Sequence, residues 1–212
     1  TAARRDTAAP DKTAGIRKSA KAYFALAGAL IAPPPPRLIA VGGLSGTGKS
    51  VLARALAPQI GPAPGAVVLR SDVMRKQLFG RAETETLPQE AYAPEATARL
   101  YALLIGKARQ AVAAGHAAVV DAVFARQEER AAVAGAAKAC GVPFTGLFLT
   151  ADLATRLKRV GARAGDASDA DATVARAQER YDLGALDWTE VDASGAPDET
   201  LANARAALPH KP

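Results

Sequence analysis

The sequence predicts an α/β fold in which one five-stranded parallel sheet carries helices on both faces. Three observations carry that expectation. Short strand-like runs at 38–41, 66–69, 117–120, 144–149 and 189–191 alternate with longer helical stretches. Strands joined through helices cross over and run parallel, and strands covered on both faces are apolar throughout rather than alternating. The chain has 212 residues, enough for one domain to bury a core without covalent staples.

Taken in order, residues 1–14 are rich in Ala, Arg, Thr and Asp, show no apolar periodicity and read as a disordered leader. A helical period runs through Ile16, Ala20, Tyr23, Ala27 and Leu30, and Pro33–Pro36 then impose a stiff extended connector. Residues 15–37 are thus a helix plus Pro-rich linker, docked from or leading out of an upstream element, and 38–212 form the main domain. Within that domain helices are expected at 49–59, 72–79, 94–114, 127–140, 152–163, 169–183 and 197–208. Pro94 suits a first helical position, and Gly115 and Gly141 suit helix ends.

Composition narrows the function. The net charge is +6, but residues 1–37 hold seven basic and two acidic groups, leaving 20 basic and 19 acidic in the main domain. A nearly neutral domain argues against a nucleic-acid-binding face. The one cysteine, Cys140, excludes an internal disulfide framework and a Cys-rich zinc site, and is read as a sign of a reducing, cytoplasmic setting. The apolar run at 22–32 is too short to span a membrane and ends in prolines.

The most informative stretch is G-x-x-x-x-G-K-S from Gly43 to Ser50, placed between a buried strand and an Ala/Leu helix. Gly43, Leu44, Ser45, Gly46, Thr47 and Gly48 form a loop small enough to wrap backbone N–H groups around a phosphate. Lys49 brings a point charge to the β/γ-phosphates, Ser50 offers a hydroxyl to Mg²⁺, and the helix running on through Val51 adds its positive end. The guanine-selecting N-K-x-D is missing, which leaves ATP as the expected nucleotide.

Two strands deliver carboxylates at their carboxyl ends, where ligands bind such sheets. Asp72 follows the second strand and would either cap the next helix or accept the proton of an acceptor hydroxyl. Asp121 ends the third strand in Walker-B-like form, near the metal or the acceptor. Arg75, one turn beyond Asp72, would hold an anionic group or face solvent, and Arg126 and Arg130 would flank the acceptor. Arg156, Arg159 and Arg163 share a helical face: a solvated stripe, or a lid closing over the triphosphate. The 80–94 connection carries Tyr92 and Glu83, Glu85, Glu90, with Glu95 just beyond, and would help cap an acceptor that is neutral or cationic. The Gly165–Asp171 stretch reads as a mobile segment ending in a helix cap, and 192–197 as an adenine-contacting loop.

Val41–Ser50, Leu69-Arg70-Ser71-Asp72-Val73-Met74-Arg75, Val119-Val120-Asp121-Ala122-Val123-Phe124 and Gly165-Asp166-Ala167-Ser168-Asp169-Ala170 together resemble the AAA-type P-loop kinase domain. The version it resembles lies at the C-terminus of bacterial bifunctional proteins whose N-terminal half is an aminoglycoside-phosphotransferase-like kinase. Gluconate kinases, zeta-toxin-like kinases and chloramphenicol phosphotransferases are more distantly similar. The resemblance implies a P-loop NTPase three-layer sandwich of the nucleoside-monophosphate-kinase type, with ATP and Mg²⁺. It implies acidic site residues at Asp72 and Asp121, lid arginines at Arg159 and Arg163, and an upstream domain to which 15–37 would be the last helix and linker. The His that follows the equivalent Asp in gluconate kinases is missing here, as are the clustered basic residues of the zeta-toxin acceptor site, so gluconate is not the expected acceptor.

The expectation is an ATP/Mg²⁺-dependent kinase acting on a hydroxyl of a small molecule. Lys49, Asp72, Asp121, Arg159 and Arg163 would be catalytic, Ser50 and Asp121 would hold the metal, and Arg75, Arg126 and Tyr92 would meet the acceptor. The alternatives are an ATP-binding regulatory module of a larger kinase-like protein, or a plain ATPase.

Overall fold

A computed structural model describes residues 10–162 and 165–209. Five strands, β1 Leu38–Gly43, β2 Val67–Arg70, β3 Ala118–Asp121, β4 Phe144–Thr150 and β5 Thr189–Asp192, form one parallel sheet in the order β2-β3-β1-β4-β5. The expected strands are all present, within about two residues of the expected bounds.

The helices are α1 Pro10–Ile31, α2 Lys49–Leu56, α3 Ser71–Leu78, α4 Pro94–Ala113, α5 Gln127–Ala139, α6 Leu153–Gly161, α7 Ala172–Ala177 and α8 Pro197–Ala207. Short 3₁₀ turns extend α2 (Ala57–Gln59), precede α4 (Gln89–Tyr92) and extend α7 (Gln178–Arg180). The helix expected over 169–183 is therefore much shorter. Asp171 caps α7 by accepting from Val174 N–H at 2.9 Å. Beyond the 3₁₀ turn the chain peels away, and Leu183 and Ala185 give their carbonyls to Arg130.

Every residue of β1 is buried, and its alternation sorts the core into two halves. Leu38 and Ala40 face Leu100, Leu104, Val120, Phe124 and Trp188 under α4 and α5. Ile39 and Val41 face Leu52, Leu56, Val119, Leu147 and Val191 under α2 and α8. Trp188 lies against glycines. A Cβ on Gly146 would sit 2.4 Å from its ring and one on Gly42 3.1 Å from it. The ring stacks edge-on with Phe124 and Phe144 at centroid distances of 4.9 and 5.8 Å.

The helix ahead of the prolines starts at Pro10, so the expected leader overlaps it by five residues, and residues 1–9 lie outside the described residues. None of the side chains from 12 to 33 is buried, and Phe24 and Ile31 are 84% and 85% exposed. Its apolar positions are not covered by the domain.

Register brings the site together. Pairing sets Val41 and Arg70 on either side of Asp121, so three strand ends meet one residue before or after the loops that carry the chemistry.

Candidate active site

The loop leaving β1 turns through three left-handed glycines: Gly43 at φ +136°, Gly46 at +89° and Gly48 at +95°. Such conformations carry a steric penalty for any side chain. Gly46 is also needed for space, because a Cβ there would lie 2.6 Å from the Arg156 carbonyl oxygen. The Leu44 carbonyl gathers the loop, accepting from Thr47 Oγ1 at 2.8 Å and Lys49 Nζ at 3.1 Å. Lys49 opens α2 directly, so loop amides, ammonium and helix end converge on one point.

Two elements from later in the chain grip this loop at Ser45. Gln178 Oε1 accepts from Ser45 N–H at 2.6 Å, and Arg156 Nε donates to Ser45 O at 2.9 Å. Arg156 also donates to Ala175 O at 3.0 Å and pairs with Glu179. It is 2% exposed and belongs neither to a solvated stripe nor to a phosphate-facing lid. Sequence periodicity placed it on an outer helix face; α7 covers that face.

Ser50 Oγ donates to Asp121 Oδ2 at 2.5 Å. Asp121 is buried, and desolvation raises its carboxyl pKa against the opposing pull of Lys49, the Ser50 hydroxyl and Arg70. Arg70 was not anticipated. Its Nη2 donates to Asp166 Oδ1 at 2.7 Å and to Ser50 Oγ at 3.3 Å, and its Nε lies 3.5 Å from Asp121 Oδ2. Among the described residues no group of three or more His, Cys, Asp or Glu could cage a metal. The Ser50–Asp121 pair fits Mg²⁺ nonetheless. Both ligands are hard oxygens, and Mg²⁺ is commonly held by one or two protein oxygens with phosphates and waters completing the shell.

One cavity of about 1070 Å³ runs from this loop across the carboxyl ends of the strands. Ser45 to Val51 and Arg159 line it together with Asp72, Arg75, Tyr92 and Arg126. Gly43, Leu44 and Asp121 lie behind that lining. Asp72 does not cap: Arg70 is the residue before α3, no side chain caps the helix, and Asp72 stands in its first turn. The cap alternative is thereby set aside.

Several expected substrate contacts are otherwise engaged. Arg75 is buried, donates to Ala91 O and to Thr97 Oγ1 (3.3 Å), and stacks over the Tyr92 ring at 4.8 Å. It shapes the cavity wall by holding the 80–94 connection. Arg130 is fully buried and spends its guanidinium on the carbonyls of Phe124, Ala125, Leu183 and Ala185, so it does not flank an acceptor. Arg159 donates to Ala193 O and Gly195 O, both at 2.6 Å, and so binds the 192–197 loop rather than pointing at the phosphate loop. Arg163 lies outside the described residues.

The acidic residues expected on the connection, Glu83, Glu85, Glu90 and Glu95, do not line the cavity; Asp72, Glu129, Asp166, Asp169 and Asp182 do. Burial raises the Glu129 pKa against hydrogen bonds from the Arg126 N–H and Tyr101 hydroxyl. Asp169 closes one side. It accepts from Lys76 Nζ at 2.6 Å, Tyr92 Oη at 2.6 Å and Leu87 N–H at 3.1 Å. Partial burial would raise its pKa, but these bonds win and lower it. Tyr92 is pushed up by burial and by Asp169, so it stays a neutral donor. The segment expected to be mobile is thus tied down by two ion pairs, Arg70–Asp166 and Lys76–Asp169.

Residues 38–183 match the AAA domain family. The uncharacterized protein Rv2004c of Mycobacterium tuberculosis and its Mycobacterium bovis counterpart Mb2027c are each 29% identical over 176 residues, or 79% of this chain and 34% of theirs. The chain thus spans about a third of the length of these curated relatives. Three solved structures share the fold. The APS kinase CysC of Mycobacterium tuberculosis, in complex with AMPPNP and APS, is 21% identical at TM-score 0.58, covering 82% of this chain and 99% of its own. A sugar kinase from Janibacter sp. is 19% identical at TM-score 0.57, with 82% and 95% covered. A gluconokinase from Sinorhizobium meliloti is 22% identical at TM-score 0.51, with 81% and 94% covered.

Proposed function

From the premise that this chain belongs to the AAA domain family and shares its fold with small-molecule kinases, we propose that it transfers the γ-phosphoryl group of ATP to a hydroxyl of a small molecule. The observation that carries this reading is the continuous cavity joining the glycine loop to Asp72. At about 1070 Å³ it stands at the top of the range of roughly 300–1,000 Å³ usual for small-molecule sites, and it reaches from the glycine loop to Asp72.

In this reading the loop amides from Gly46 to Val51 and Lys49 would hold the phosphates, while Ser50 and Asp121 would hold Mg²⁺. The metal, when bound, neutralises charge on the β- and γ-phosphates. Asp72 orients the acceptor hydroxyl and takes its proton as the bond from its oxygen to the γ-phosphorus forms and the bond from that phosphorus to the ADP oxygen breaks, releasing ADP. Positioning and charge neutralisation supply most of the rate, since the protein makes no covalent bond to the phosphoryl group. Arg159 holds the 192–197 loop, whose Pro197 lines the cavity together with Thr200. Arg163 is the lid cation of this proposal.

The acceptor is hydroxylated and carries no strong negative charge. Asp72, Glu129 and Asp182 line the cavity with Tyr92, Tyr101 and Arg126, and Arg75 is engaged elsewhere. An aminoglycoside-phosphotransferase-like domain preceding residue 10 is the proposed neighbour, with α1 and the Pro33–Pro36 connector leading out of it; the greater length of the relatives is consistent with this. Incubating the protein with ATP, Mg²⁺ and a library of hydroxylated acceptors, with mass-spectrometric detection, tests the proposal. A phosphorylated product supports it. ATP bound with no product from any acceptor would favour a regulatory module, and ADP release without acceptor a plain ATPase.

A further inference from the structure

Arg70 has no part in the phosphoryl transfer described above, yet it sits at the centre of the metal-holding pair. Register fixes it there: Arg70 ends β2 directly opposite Asp121 on β3. Its guanidinium is 8% exposed and touches both oxygens assigned to the metal, Ser50 Oγ at 3.3 Å and Asp121 Oδ2 at 3.5 Å. Neither contact is a good hydrogen bond, and Nε is buried without any hydrogen-bond partner. The one strong bond it makes goes the other way, to Asp166 Oδ1 at 2.7 Å.

A buried carboxylate needs a counter-charge when no metal is bound. Lys49 and Arg70 are the cations that act on Asp121. Lys49 acts on Asp121 more strongly and also donates to Leu44 O, whereas Arg70 is the cation seen against both ligand oxygens. A divalent cation at those oxygens would be a like charge beside the guanidinium, and the two repel at this separation. Asp166 already holds the guanidinium from the other side, at 2.7 Å. It belongs to the 165–170 segment, which also lines the cavity through Ser168, Asp169 and Ala170.

We infer that Arg70 is a positioning residue that bridges the Ser50–Asp121 pair to Asp166 as a resident counter-ion, and that it sheds the pair and keeps Asp166 when a divalent cation binds. Metal loading and the seating of the 165–170 segment are thereby coupled. The inference rests on the assignment of Ser50 and Asp121 as the metal-holding pair.

Manganese titrations on the full chain with saturating ADP, followed by the free-ion paramagnetic resonance signal, test it without reference to turnover. Removing the competing charge in Arg70→Gln should tighten Mn²⁺ binding roughly tenfold. Asp166→Asn, which leaves the guanidinium only the metal pair to lean on, should weaken it several-fold. Arg70→Lys keeps the charge with a single compact head and should fall between wild type and Arg70→Gln. A purely structural role would shift the Arg70 and Asp166 variants the same way. The inference is overturned if Arg70→Gln binds Mn²⁺ no tighter than wild type, or if Asp166→Asn moves in the same direction. Should Arg70→Gln not fold, the sign of the Asp166→Asn change decides alone. Wild-type protein that takes up no Mn²⁺ with ADP would instead remove the metal-site assignment, and this inference with it.

Discussion

Lys76 Nζ lies 2.6 Å from Asp169 Oδ1, an ion pair between residues 93 positions apart. It joins α3, which carries Asp72, to the segment that closes the far side of the cavity. Because the Asp169 pKa is lowered in the folded chain, its contribution to stability is present above the ordinary carboxylate value near 4 and is lost as the pH falls through the native value. Asp169→Asn should therefore melt below wild type at neutral pH, and the gap should close as the pH is taken down toward about 3. Thermal melts across that range check the sign; a gap that widens in acid contradicts the assignment.

Asp72 stands in the first turn of α3 without capping it, which separates chemistry from folding at this position. Asp72→Asn should lower kcat by about 10²–10⁴, the usual worth of a positioned general base, while ATP affinity and melting temperature stay near wild type. Steady-state kinetics beside calorimetric ATP titration make the comparison. Equal losses in kcat and ATP affinity would show Asp72 to be structural.

Gly146 and Trp188 test the packing behind the site. A Cβ at Gly146 would press 2.4 Å from the indole ring, and the ring is sandwiched by Phe124 and Phe144. Gly146→Ala should cost about 1–3 kcal/mol by overpacking. Urea denaturation followed by the fluorescence of Trp188, the only tryptophan, measures it directly. No loss of stability would mean that the ring can move aside freely.

Much of this architecture was legible beforehand because strand apolarity, helical period and glycine placement are local signals. The loop from Gly43 to Ser50, the strand-end carboxylates Asp72 and Asp121 and the cap at Asp171 were read from neighbouring residues alone. The places of Arg70, Arg130 and Arg156 are not legible in the sequence, for one shared reason. A guanidinium on a long stem is buried or solvated according to which distant element packs over it, and periodicity carries no such information. Arg156 is covered by α7, and Arg130 takes carbonyls more than 50 positions away. The 80–94 connection was expected to present its glutamates; it presents Thr86, Leu87 and Tyr92 instead, because Lys76, Arg75 and Asp169 fix its backbone and tyrosine inward.

The loop ending in Lys49 and Ser50 is proposed to hold a nucleotide whose terminal phosphoryl group leaves for a hydroxyl near Asp72. A phosphorus NMR time course of ATP and Mg²⁺ with pooled hydroxylated acceptors, run on wild type and on Lys49→Ala, addresses it in one measurement. Wild type should give a growing phosphate-ester resonance matched by loss of the γ-phosphate signal, slowed by at least about 10² in Lys49→Ala. An unchanged ATP spectrum with every acceptor, or equal ester formation by both proteins, would contradict it.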